Sequence, residues 1–428
     1  MRSAAPGVEH RFVPEPAPEP VALPDDPDAV LRLILDPETR GELYPLYRRL
    51  RALAPVHQAS VSGLPDGCWV LTSYAAVDRV ARSASAVNDP RTAKVFDHDG
   101  KAGPFSRMLA NSMLFLEKPD HDRVRRLVYR AFTPRAVAPL GALTEAVAHE
   151  LLDAVEARKE MDFVSAFAYP LPIRAICQLL GIPADAQHEI EQWTWDFARA
   201  GDPMSVTPEA AARGDVAAEA FHDLFARLLA ERRAHPGGDI MSVLTTPDVD
   251  GERLSLEEAI ATCVLLLQAG HETTADLLGN ALVALFRHPD ELRSLRNNAD
   301  ATRPAVEELL RYDCSVQMSM RIVTDDLDVE GKMIPAGSLA ALVYGAANHD
   351  PARFAEPDRL DLRRNPTHLA FSVGAYYCLG NALARTELAS GLRVLLDRLP
   401  RIAPDGDTFV QRPSMRMHGA LHLPVHWT

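Results

Sequence analysis

Apolar residues recur at three- and four-residue spacing along much of the chain, which is the pattern of amphipathic α-helices. This pattern predicts helices over 143–158, 172–181, 210–234, 255–287, 304–312 and 380–399. Alternating or short apolar runs predict strands over 67–72, 327–334, 338–344 and 420–427. The chain is therefore expected to be mainly α-helical, with a small β-rich region at one side.

The N-terminal segment differs in composition from the rest of the chain. Residues 1–25 contain the run PEPAPEP and little to bury, so we expect them to form a flexible, Pro-rich arm. No later segment is long or biased enough to act as a linker, and no repeat of fixed period is present. Residues 26–428 are predicted to form one large domain.

The longest predicted helix has clear ends and an unusual middle. Ser255 and Glu258 have the spacing of a capping box, and His288-Pro289 is expected to stop the helix. Its flanks are apolar, which indicates burial, but residues 269–274 read AGHETT. A glycine and several polar residues are costly at the centre of a buried helix. The middle of this helix therefore needs a specific explanation.

Two interpretations of the AGHETT segment follow from its residues. Gly270 would let a bulky group approach the helix backbone, and the Thr273 hydroxyl could loosen the helical hydrogen bonds. In the first interpretation the helix is deformed beside a ligand, and Glu272 and Thr273 handle protons. In the second the helix bends and its buried acid is paired for structural reasons. The residues alone leave both open.

One of the five cysteines lies in a distinctive setting. Cys378 follows the glycine-containing run from Phe371 and comes just before the predicted helix 380–399. The free amide groups and the dipole at a helix N-terminus stabilise a thiolate, so Cys378 is a candidate metal ligand, with a nucleophilic cysteine as the alternative. The four others are expected to be small buried residues: Cys68, Cys177, Cys263 and Cys314.

Charged residues suggest a structural network and an anion site. Glu308 and Arg311 share a helix face, and a network that joins them to Arg359 could hold the cysteine loop. Arg and His grip carboxylates well, which makes His121, Arg125 and Arg321 candidates for holding carboxylates of a cofactor. The alternative is a solvated basic face, to which we assign Arg126, Arg130 and Arg135.

Composition excludes several classes of protein. The 428 residues contain 45 Lys+Arg and 59 Asp+Glu, and a net charge of −14 argues against a non-specific nucleic-acid binder. No run of eighteen apolar residues predicts a membrane span, and the start MRSAAPGVEH lacks the apolar core of a secretory signal. The cysteines are few and widely spaced, as is typical of a reducing cytoplasm.

Taken together, the motifs resemble the cytochrome P450 family, specifically its soluble bacterial type, and the similarity covers nearly all of the chain after residue 25. The matching motifs are Ala269–Thr274, Glu308-x-x-Arg311, Pro357-Asp358-Arg359-Leu360 and Phe371–Gly380. Supporting similarity lies in residues 117–121, 130–134, 334–337 and 346–351. The resemblance implies the single-domain cytochrome P450 fold, with haem between the long central helix and the cysteine loop.

The resemblance also implies roles for individual residues. Cys378 would be the thiolate ligand of the iron of haem b, and Glu272 and Thr273 would deliver protons during oxygen activation. Glu308, Arg311 and Arg359 would form a structural ion network, while His121, Arg125 and Arg321 would hold the haem propionates. The remaining residues implied to contact haem are Gly270, Phe371, Tyr376 and Gly380.

The sequence departs from the family pattern at several positions. Ser372 stands where Gly is usual, which puts the turn geometry in question, and Tyr376 stands where His or Arg is usual, which weakens or reassigns one propionate contact. Further departures are Leu360 for Phe, Cys314 for Pro and His418 for Arg. These differences indicate a divergent subgroup that keeps the proposed ligand.

The implied reaction is monooxygenation, most simply hydroxylation or epoxidation, of a small or medium organic molecule in natural-product or antibiotic biosynthesis. Electrons would come from a separate ferredoxin and its reductase, which could dock on a basic patch of Arg125, Arg126, Arg130 and Arg385. Residues expected to line the substrate, with ordinary core packing as the alternative, are Val87, Asn88, Met108, Leu109, Leu266, Ala269, Val316, Met318, Met415 and Met417. Two other readings stay open: oxidative coupling, ring closure or nitration at the same iron, and a non-catalytic haem-binding protein.

Overall fold

The computed structural model describes residues 7–12, 23–36, 43–88, 103–116, 118–132, 139–201, 207–298, 302–412 and 414–428. Helices span Pro27–Leu35, Leu43–Leu53, Tyr74–Arg82, Pro104–Ala110, Asp120–Tyr129, Leu140–Asp153, Pro170–Leu180, Gln187–Ala200, Pro208–Ala234, Ile240–Thr245, Leu256–Arg287, Pro289–Asn297, Thr302–Tyr312, Tyr344–Ala347 and Asn381–Arg398. Strands span Val8–Arg11, Val56–Gln58, Trp69–Leu71, Ala86–Val87, Glu160–Asp162, Met318–Val323, Leu327–Val329, Lys332–Ile334, Leu339–Val343, Ala403–Pro404, Thr408–Gln411, Ala420–His422 and Pro424–His426.

The chain divides into two compact units. We call them the cysteine unit, which contains residues 1–86, 144–171 and 273–428, and the helical unit, which contains residues 87–143 and 172–272. The division falls inside the helix Leu256–Arg287, which we call the central helix, between Glu272 and Thr273. Each unit is described by itself below.

The predicted mainly helical architecture is confirmed, since each of the six predicted helices coincides with an observed helix. The predicted strand 327–334 is two strands, joined at Glu330 and Gly331, which have φ values of 53° and 77°. Among the elements not predicted is Tyr74–Arg82, where two of the four buried positions are alanines and the apolar pattern is therefore weak. The strand Met318–Val323 was also missed.

The main sheet of the cysteine unit is buried on both faces. Its five strands follow the order 56–58, 69–71, 339–343, 318–323 and 86–87. Along Leu339–Val343, Ala340 and Leu342 belong to one core cluster, while Ala341 and Val343 belong to another. Alternate side chains of a strand point to opposite faces, so the continuous apolar run of this strand reflects packing on both sides.

Part of the predicted flexible arm is a strand. Val8–Arg11 pairs antiparallel with Thr408–Gln411, with Val8 opposite Gln411. Phe12 follows it with 4% of its surface exposed, and its ring lies 5.1 Å from that of Phe409. The expectation of flexibility is therefore wrong for these residues, because backbone pairing and one buried ring hold them in place. Residues 13–22 of the arm lie outside the described residues.

Among the residues of the helical unit that the structure describes, the regular elements are helices, and Val87 is the one strand residue. Its core includes several packed aromatic rings. The ring centre of Phe221 lies 5.6 Å from that of Trp193 and 6.0 Å from that of Phe197. Within the described ranges, no helix has the length and apolar character needed to cross a membrane.

The start of the central helix has the predicted capping box. Ser255 Oγ accepts from the Glu258 N–H at 3.2 Å, and the Ser255 N–H donates to Glu258 Oε2 at 2.8 Å. The helix ends at Arg287, directly before His288-Pro289, as the sequence indicated. Both ends of the central helix are thus set by local sequence.

Candidate functional site

The loop from Phe371 to Gly380 presents Cys378 at the start of a helix. The Cys378 N–H donates to Phe371 O at 3.0 Å, and Asn381 Nδ2 donates to Cys378 O at 2.8 Å. The next helix begins at Asn381, with Gly380 as its N-cap residue. Cys378 is half-buried, whereas the other four cysteines are buried. Its thiol is therefore the accessible one among the five.

Gly374 allows this loop to approach the rest of the cysteine unit. Its φ is 74°, and a Cβ atom at this position would lie 2.6 Å from Ala81 O. Both the left-handed backbone and the close carbonyl exclude a larger residue. A 3₁₀ turn spans Gly374–Tyr376 and leads directly to Cys378.

Ser372 keeps the turn geometry that glycine would supply. Its φ is 58°, in the left-handed region that a serine adopts only at a cost. Its side chain compensates by accepting from Tyr344 Oη at 3.0 Å, and its N–H donates to Leu369 O at 2.8 Å. The departure from the family pattern thus retains the backbone conformation by adding a buried hydrogen bond.

Tyr376 and Arg321 lie in contact. The Arg321 guanidinium carbon is 4.9 Å from the centre of the Tyr376 ring, a cation–π contact, and Arg321 is 3% exposed. Arg321 Nη1 donates to Ser319 Oγ at 3.0 Å, and Ser319 Oγ lies 2.6 Å from Tyr344 Oη. The hydrogen-bonded chain therefore runs from Arg321 through Ser319 and Tyr344 to Ser372, so both unusual residues of the loop support Arg321.

Glu308 and Arg311 form a fully buried ion pair. Arg311 Nε donates to Glu308 Oε2 at 2.7 Å and Arg311 Nη2 donates to Glu308 Oε1 at 2.8 Å, and both side chains are 0% exposed. Arg311 Nη1 also donates to Asn348 O at 2.9 Å and to Pro357 O at 2.8 Å. This arginine therefore joins its helix to two points of the long segment between Ala347 and Gly374.

The third member of the predicted network is a different arginine. The Arg359 side chain is 54% exposed and pairs with Glu356 at 3.2 Å, and only its backbone carbonyl faces the buried pair. Arg364 Nε instead donates to Glu308 Oε1 at 3.1 Å. The prediction of Arg359 is wrong because its carbonyl faces inward, which leaves its side chain among surface acids such as Asp361.

A second acid–base cluster, not predicted from the sequence, holds the helix after Cys378. Arg385 Nε donates to Glu307 Oε1 at 2.6 Å and Arg385 Nη2 donates to Glu307 Oε2 at 3.0 Å. Arg385 also lies 4.5 Å from the Phe371 ring centre. Hydrogen bonds from His368 and Arg385 outweigh burial and lower the pKa of Glu307 to about 2. No short-range pattern links Glu307 to Arg385, so sequence reasoning had no signal for this pair.

The middle of the central helix is open along one side. The segment Leu256–Arg287 is one continuous α-helix, so neither of the two interpretations left open, deformation beside a ligand or a structural bend, breaks the helix. Ala269 is exposed, and Gly270, Glu272 and Thr273 are half-buried, although most of the helix is buried. A Cβ atom built on Gly270 would lie 3.6 Å from Ile176 Cγ1, an ordinary van der Waals distance, so packing does not require glycine at this position.

Glu387 is a buried acid that sequence reasoning missed. Its side chain is 0% exposed, and burial raises its pKa well above the usual range, although the Thr274 hydroxyl opposes this rise. Thr274 belongs to the AGHETT segment and Glu387 to the helix that follows Cys378. The two elements thus bring a buried carboxyl group with a raised pKa beside the central helix, which no local pattern could reveal.

In the helical unit, His121 and Arg125 lie on the helix Asp120–Tyr129. His121 is 2% exposed, and its Nδ1 lies 3.0 Å from Asp122 Oδ1. Burial lowers the pKa of His121, and the charge of Arg125 lowers it further. Arg125 is half-buried.

Two arginines of the predicted basic patch, Arg126 and Arg385, are paired with acids. Arg126 pairs with Asp248 and Glu252, and Arg130 donates to the carbonyls of Thr246 and Pro247 at 3.2 and 3.3 Å. In the cysteine unit, Arg385 is paired with Glu307, as described above. Arg135 lies outside the described residues. The interpretation of these arginines as an uncompensated basic surface is therefore wrong for Arg126 and Arg385.

The candidate substrate-lining residues divide into core and accessible groups. Met318 and Met415 belong to a core cluster of the cysteine unit, which favours the packing interpretation for both. Val316 and Met417 are half-buried and face each other in an antiparallel bridge. In the helical unit, Met108 and Leu266 are buried, while the more accessible residues are Val87, Asn88, Leu109 and Ala269.

These residues fit the haem group that the motifs imply. The cysteine unit offers the accessible thiol of Cys378, just before a helix N-terminus. It also offers the Arg321 guanidinium, which contacts the Tyr376 ring and donates a hydrogen bond to Ser319. Nothing lies within 4 Å of a Cβ built on Gly380, so the loop is open on that side. A soft thiolate ligand, a cation for carboxylates and open backbone are the chemistry that thiolate-bound haem requires.

Comparison with known proteins agrees with this chemistry. The family model described as Cytochrome P450 matches residues 68–414. "Putative cytochrome P450 133B2" of Xylella fastidiosa is 35% identical over 389 residues, which cover 90% of this chain and 96% of that relative. "Cytochrome P450 monooxygenase PikC" of Streptomyces venezuelae is 35% identical over 396 residues, which cover 90% and 91% of the two chains.

A solved structure supports the same conclusion for the fold. The P450BioI structure in complex with a hexadec-9Z-enoic acid-ligated acyl carrier protein matches with a TM-score of 0.84 and 33% identity. The match covers 90% of this chain and 98% of that chain. The family model, the full-length relatives and the shared fold agree, and the chain belongs to the cytochrome P450 family.

Proposed function

We propose that the protein is a haem-thiolate monooxygenase in which Cys378 is the ligand of the haem iron. Family membership gives the coarse statement, since cytochromes P450 bind haem and relatives of this chain are named monooxygenases. The assignment of the ligand rests on one observation: Cys378 is the accessible cysteine and precedes a helix N-terminus. The ferrous carbon-monoxide spectrum tests it, and absence of the long-wavelength Soret band of thiolate ligation would contradict it.

Thiolate-bound haem supplies the cleavage of dioxygen, and the protein must supply protons and position the substrate. Glu272 and Thr273 are the proposed proton residues, because an acid and a hydroxyl lie half-buried on the open side of the central helix. A carboxyl group and a hydroxyl in such a setting can exchange protons with water and pass them inward.

Thr273→Ala is expected to divert electrons from product to hydrogen peroxide. Loss of a positioned proton donor typically costs two orders of magnitude or more, so product per electron pair should fall about tenfold or further. The measurement compares consumption of reduced nicotinamide cofactor, product and peroxide. Thr273→Ser keeps the hydroxyl and should keep most of the product formed per electron pair. Thr262→Ala changes a fully buried threonine of the same helix and should leave product per electron pair unchanged. Equal coupling in Thr273→Ala and the wild type would remove Thr273 from the relay.

Arg321 is the proposed holder of a haem propionate, and Tyr376 holds Arg321. The resemblance also assigns propionates to His121 and Arg125, and their placement on one helix supports this proposal. Arg321 is the better-supported member, because its guanidinium lies between the Tyr376 ring and Ser319 within the cysteine unit. Tyr376 therefore acts on the propionate through Arg321 rather than as a charged contact.

Tyr376→Leu is expected to speed haem loss, while Tyr376→Phe is not. Phenylalanine keeps the ring face and its cation–π contact of about 0.5–2 kcal/mol, whereas leucine removes it. We expect haem transfer to an acceptor globin to be about two- to thirtyfold faster in Tyr376→Leu. If Tyr376→Phe and Tyr376→Leu lose haem at equal rates, the hydroxyl or the side-chain volume matters rather than the contact with Arg321.

Electrons are expected from a separate ferredoxin and its reductase. Bacterial members of the family take electrons from redox partners. Because Arg126 and Arg385 are paired with acids, we expect only a weak contribution from them to docking. Turnover with a surrogate ferredoxin system, compared with a flavodoxin system, tests the proposal.

The proposed substrate is a small or medium molecule of natural-product biosynthesis. The relative named PikC and the acyl-carrier complex of P450BioI support biosynthetic substrates, either free or bound to a carrier. Substrate-binding difference spectra over macrolides, free fatty acids and carrier-bound acyl chains would separate these classes. The five cysteines are free, from which we infer that the enzyme works in a reducing cytoplasm.

A further inference from the structure

The hairpin formed by Thr408–Gln411 and Ala420–His422 carries the accessible candidate substrate residue Met417 in its connecting loop. We call residues 412 and 414–419 the hairpin loop. The His418 N–H donates to Ser315 O at 2.7 Å, and the Gln317 N–H donates to Arg416 O at 2.8 Å. These bonds place Met417 opposite Val316, the other accessible candidate of the cysteine unit.

Two side chains of the central helix hold both ends of this loop. Asp276 accepts from Arg412 Nη2 at 3.3 Å, near the start of the loop. Asn280 Nδ2 donates to His418 O at 2.9 Å, near its end. Asp276 and Asn280 are 2% and 3% exposed and are separated by four residues, so they lie on one helix face.

Asn280 also reaches the segment on which Val316 lies. Its Nδ2 donates a second, longer hydrogen bond to Asp313 O at 3.3 Å. Asp313 Oδ1 accepts from Tyr44 Oη at 2.7 Å and lies 3.4 Å from His418 Nε2. One amide group thus contacts the backbone of both segments that carry Val316 and Met417.

The backbone of the hairpin loop lies directly against the central helix. A Cβ atom built on Gly419 would lie 2.2 Å from Asp276 Cγ, which is far too close. A Cβ atom built on Gly279 would lie 3.5 Å from the Cβ atom of Ala420, which is an ordinary contact distance. No side chain fits at position 419 while Asp276 is present. The contact begins three residues beyond Thr273, about one helical turn from the proposed proton residue.

We infer that Asp276 and Asn280 are positioning residues that set where Val316 and Met417 lie relative to Thr273, and that they thereby influence which substrates fit. The inference rests on the proposed function, because it takes Val316 and Met417 as substrate contacts. Both residues act through the hairpin loop rather than by touching substrate. Loss of either anchor should let the loop move while the haem-ligand loop stays in place.

Hydrogen exchange tests the anchoring directly. Asn280→Leu keeps the number and branching of the side-chain heavy atoms and removes the hydrogen-bond donors, so the amides of Gln317 and His418 should exchange about tenfold faster. Gln268→Leu is the matched control, since Gln268 is an amide of the same helix that donates to Thr194 O at 3.2 Å in the helical unit. Should Asn280→Leu not fold, Arg412→Met removes the other anchor. Unchanged exchange at both amides in the folded variant overturns the inference.

Binding of two azoles tests the consequence for ligands. Imidazole is a small ligand of haem iron and clotrimazole is a bulky one, so only clotrimazole binding should depend on the position of the hairpin loop. We expect the clotrimazole dissociation constant to change about five- to tenfold in Asn280→Leu and the imidazole constant to stay within about twofold. Equal changes for both azoles would indicate general destabilisation and contradict the inference. Failure of the wild type to show the thiolate Soret band would instead contradict the proposed function, and the exchange result would remain interpretable.

Discussion

Cys378→Ala is expected to abolish the long-wavelength Soret band of the ferrous carbon-monoxide complex while leaving most of the helical fold. Cys378 is half-buried, and the bonds that hold its loop involve its backbone, so alanine removes little packing. The four other cysteines are buried, which disfavours their thiolate forms. Burial raises the pKa of Cys68, Cys177 and Cys314 to about 12 and that of Cys263 higher still.

The matched control for this experiment is Cys314→Ala, which removes a cysteine that is 1% exposed and follows the C-terminal end of the helix Thr302–Tyr312. It should lower stability slightly and keep the thiolate spectrum. Circular dichroism of both variants separates loss of the ligand from loss of the fold. A thiolate spectrum retained in Cys378→Ala would mean that another residue binds the iron, and the assignment of the site would fail.

Arg311→Leu is expected to be the most destabilising substitution outside the hydrophobic core. It leaves the Glu308 carboxylate, which is 0% exposed, without its bidentate partner. It also removes the donor to the carbonyls of Asn348 and Pro357. Removing one partner of a buried ion pair costs about 3–5 kcal/mol, so the free energy of unfolding should fall by about that amount. Urea unfolding of the haem-loaded protein measures it.

Arg359→Leu is the control that distinguishes the two versions of the network. The Arg359 side chain is 54% exposed and pairs only with surface acids, for which a contribution below about 1 kcal/mol is typical. The loss of unfolding free energy in Arg364→Leu should lie between the losses in Arg311→Leu and Arg359→Leu. Arg364 donates to Glu308 at 3.1 Å, but its side chain is partly exposed. A large loss of unfolding free energy in Arg359→Leu would instead support the network of Glu308, Arg311 and Arg359 that the sequence predicted.

Local sequence predicted the elements whose signals lie within one or two turns of chain. The capping box of Ser255 and Glu258, the end of the central helix at Arg287 and the helix that starts after Cys378 are all found where the sequence placed them. Each depends on neighbouring residues, because capping and termination are properties of the backbone near the helix end.

Side-chain partners were predicted less well, because residues far apart in the chain compete for the same place. Glu308 takes Arg364, which is 56 residues away, instead of Arg359. Met318 and Met415 pack into the core, although their chemistry also suits an adaptable substrate surface. The four residues Val8–Arg11 form a strand because a partner, Thr408–Gln411, lies near the other end of the chain.

The sequence by itself determined the family, the mainly helical fold and the haem cofactor, and it singled out the thiol that we propose as the ligand, because short motifs and helical periodicity carry that information. Only the tertiary structure decided how Ser372 and Tyr376 are accommodated, which arginine completes the buried network, and how Asn280 reaches His418 across 138 residues. The physical reason is that hydrogen bonds and burial depend on atoms brought together by folding, and such contacts leave no spacing signal in the chain.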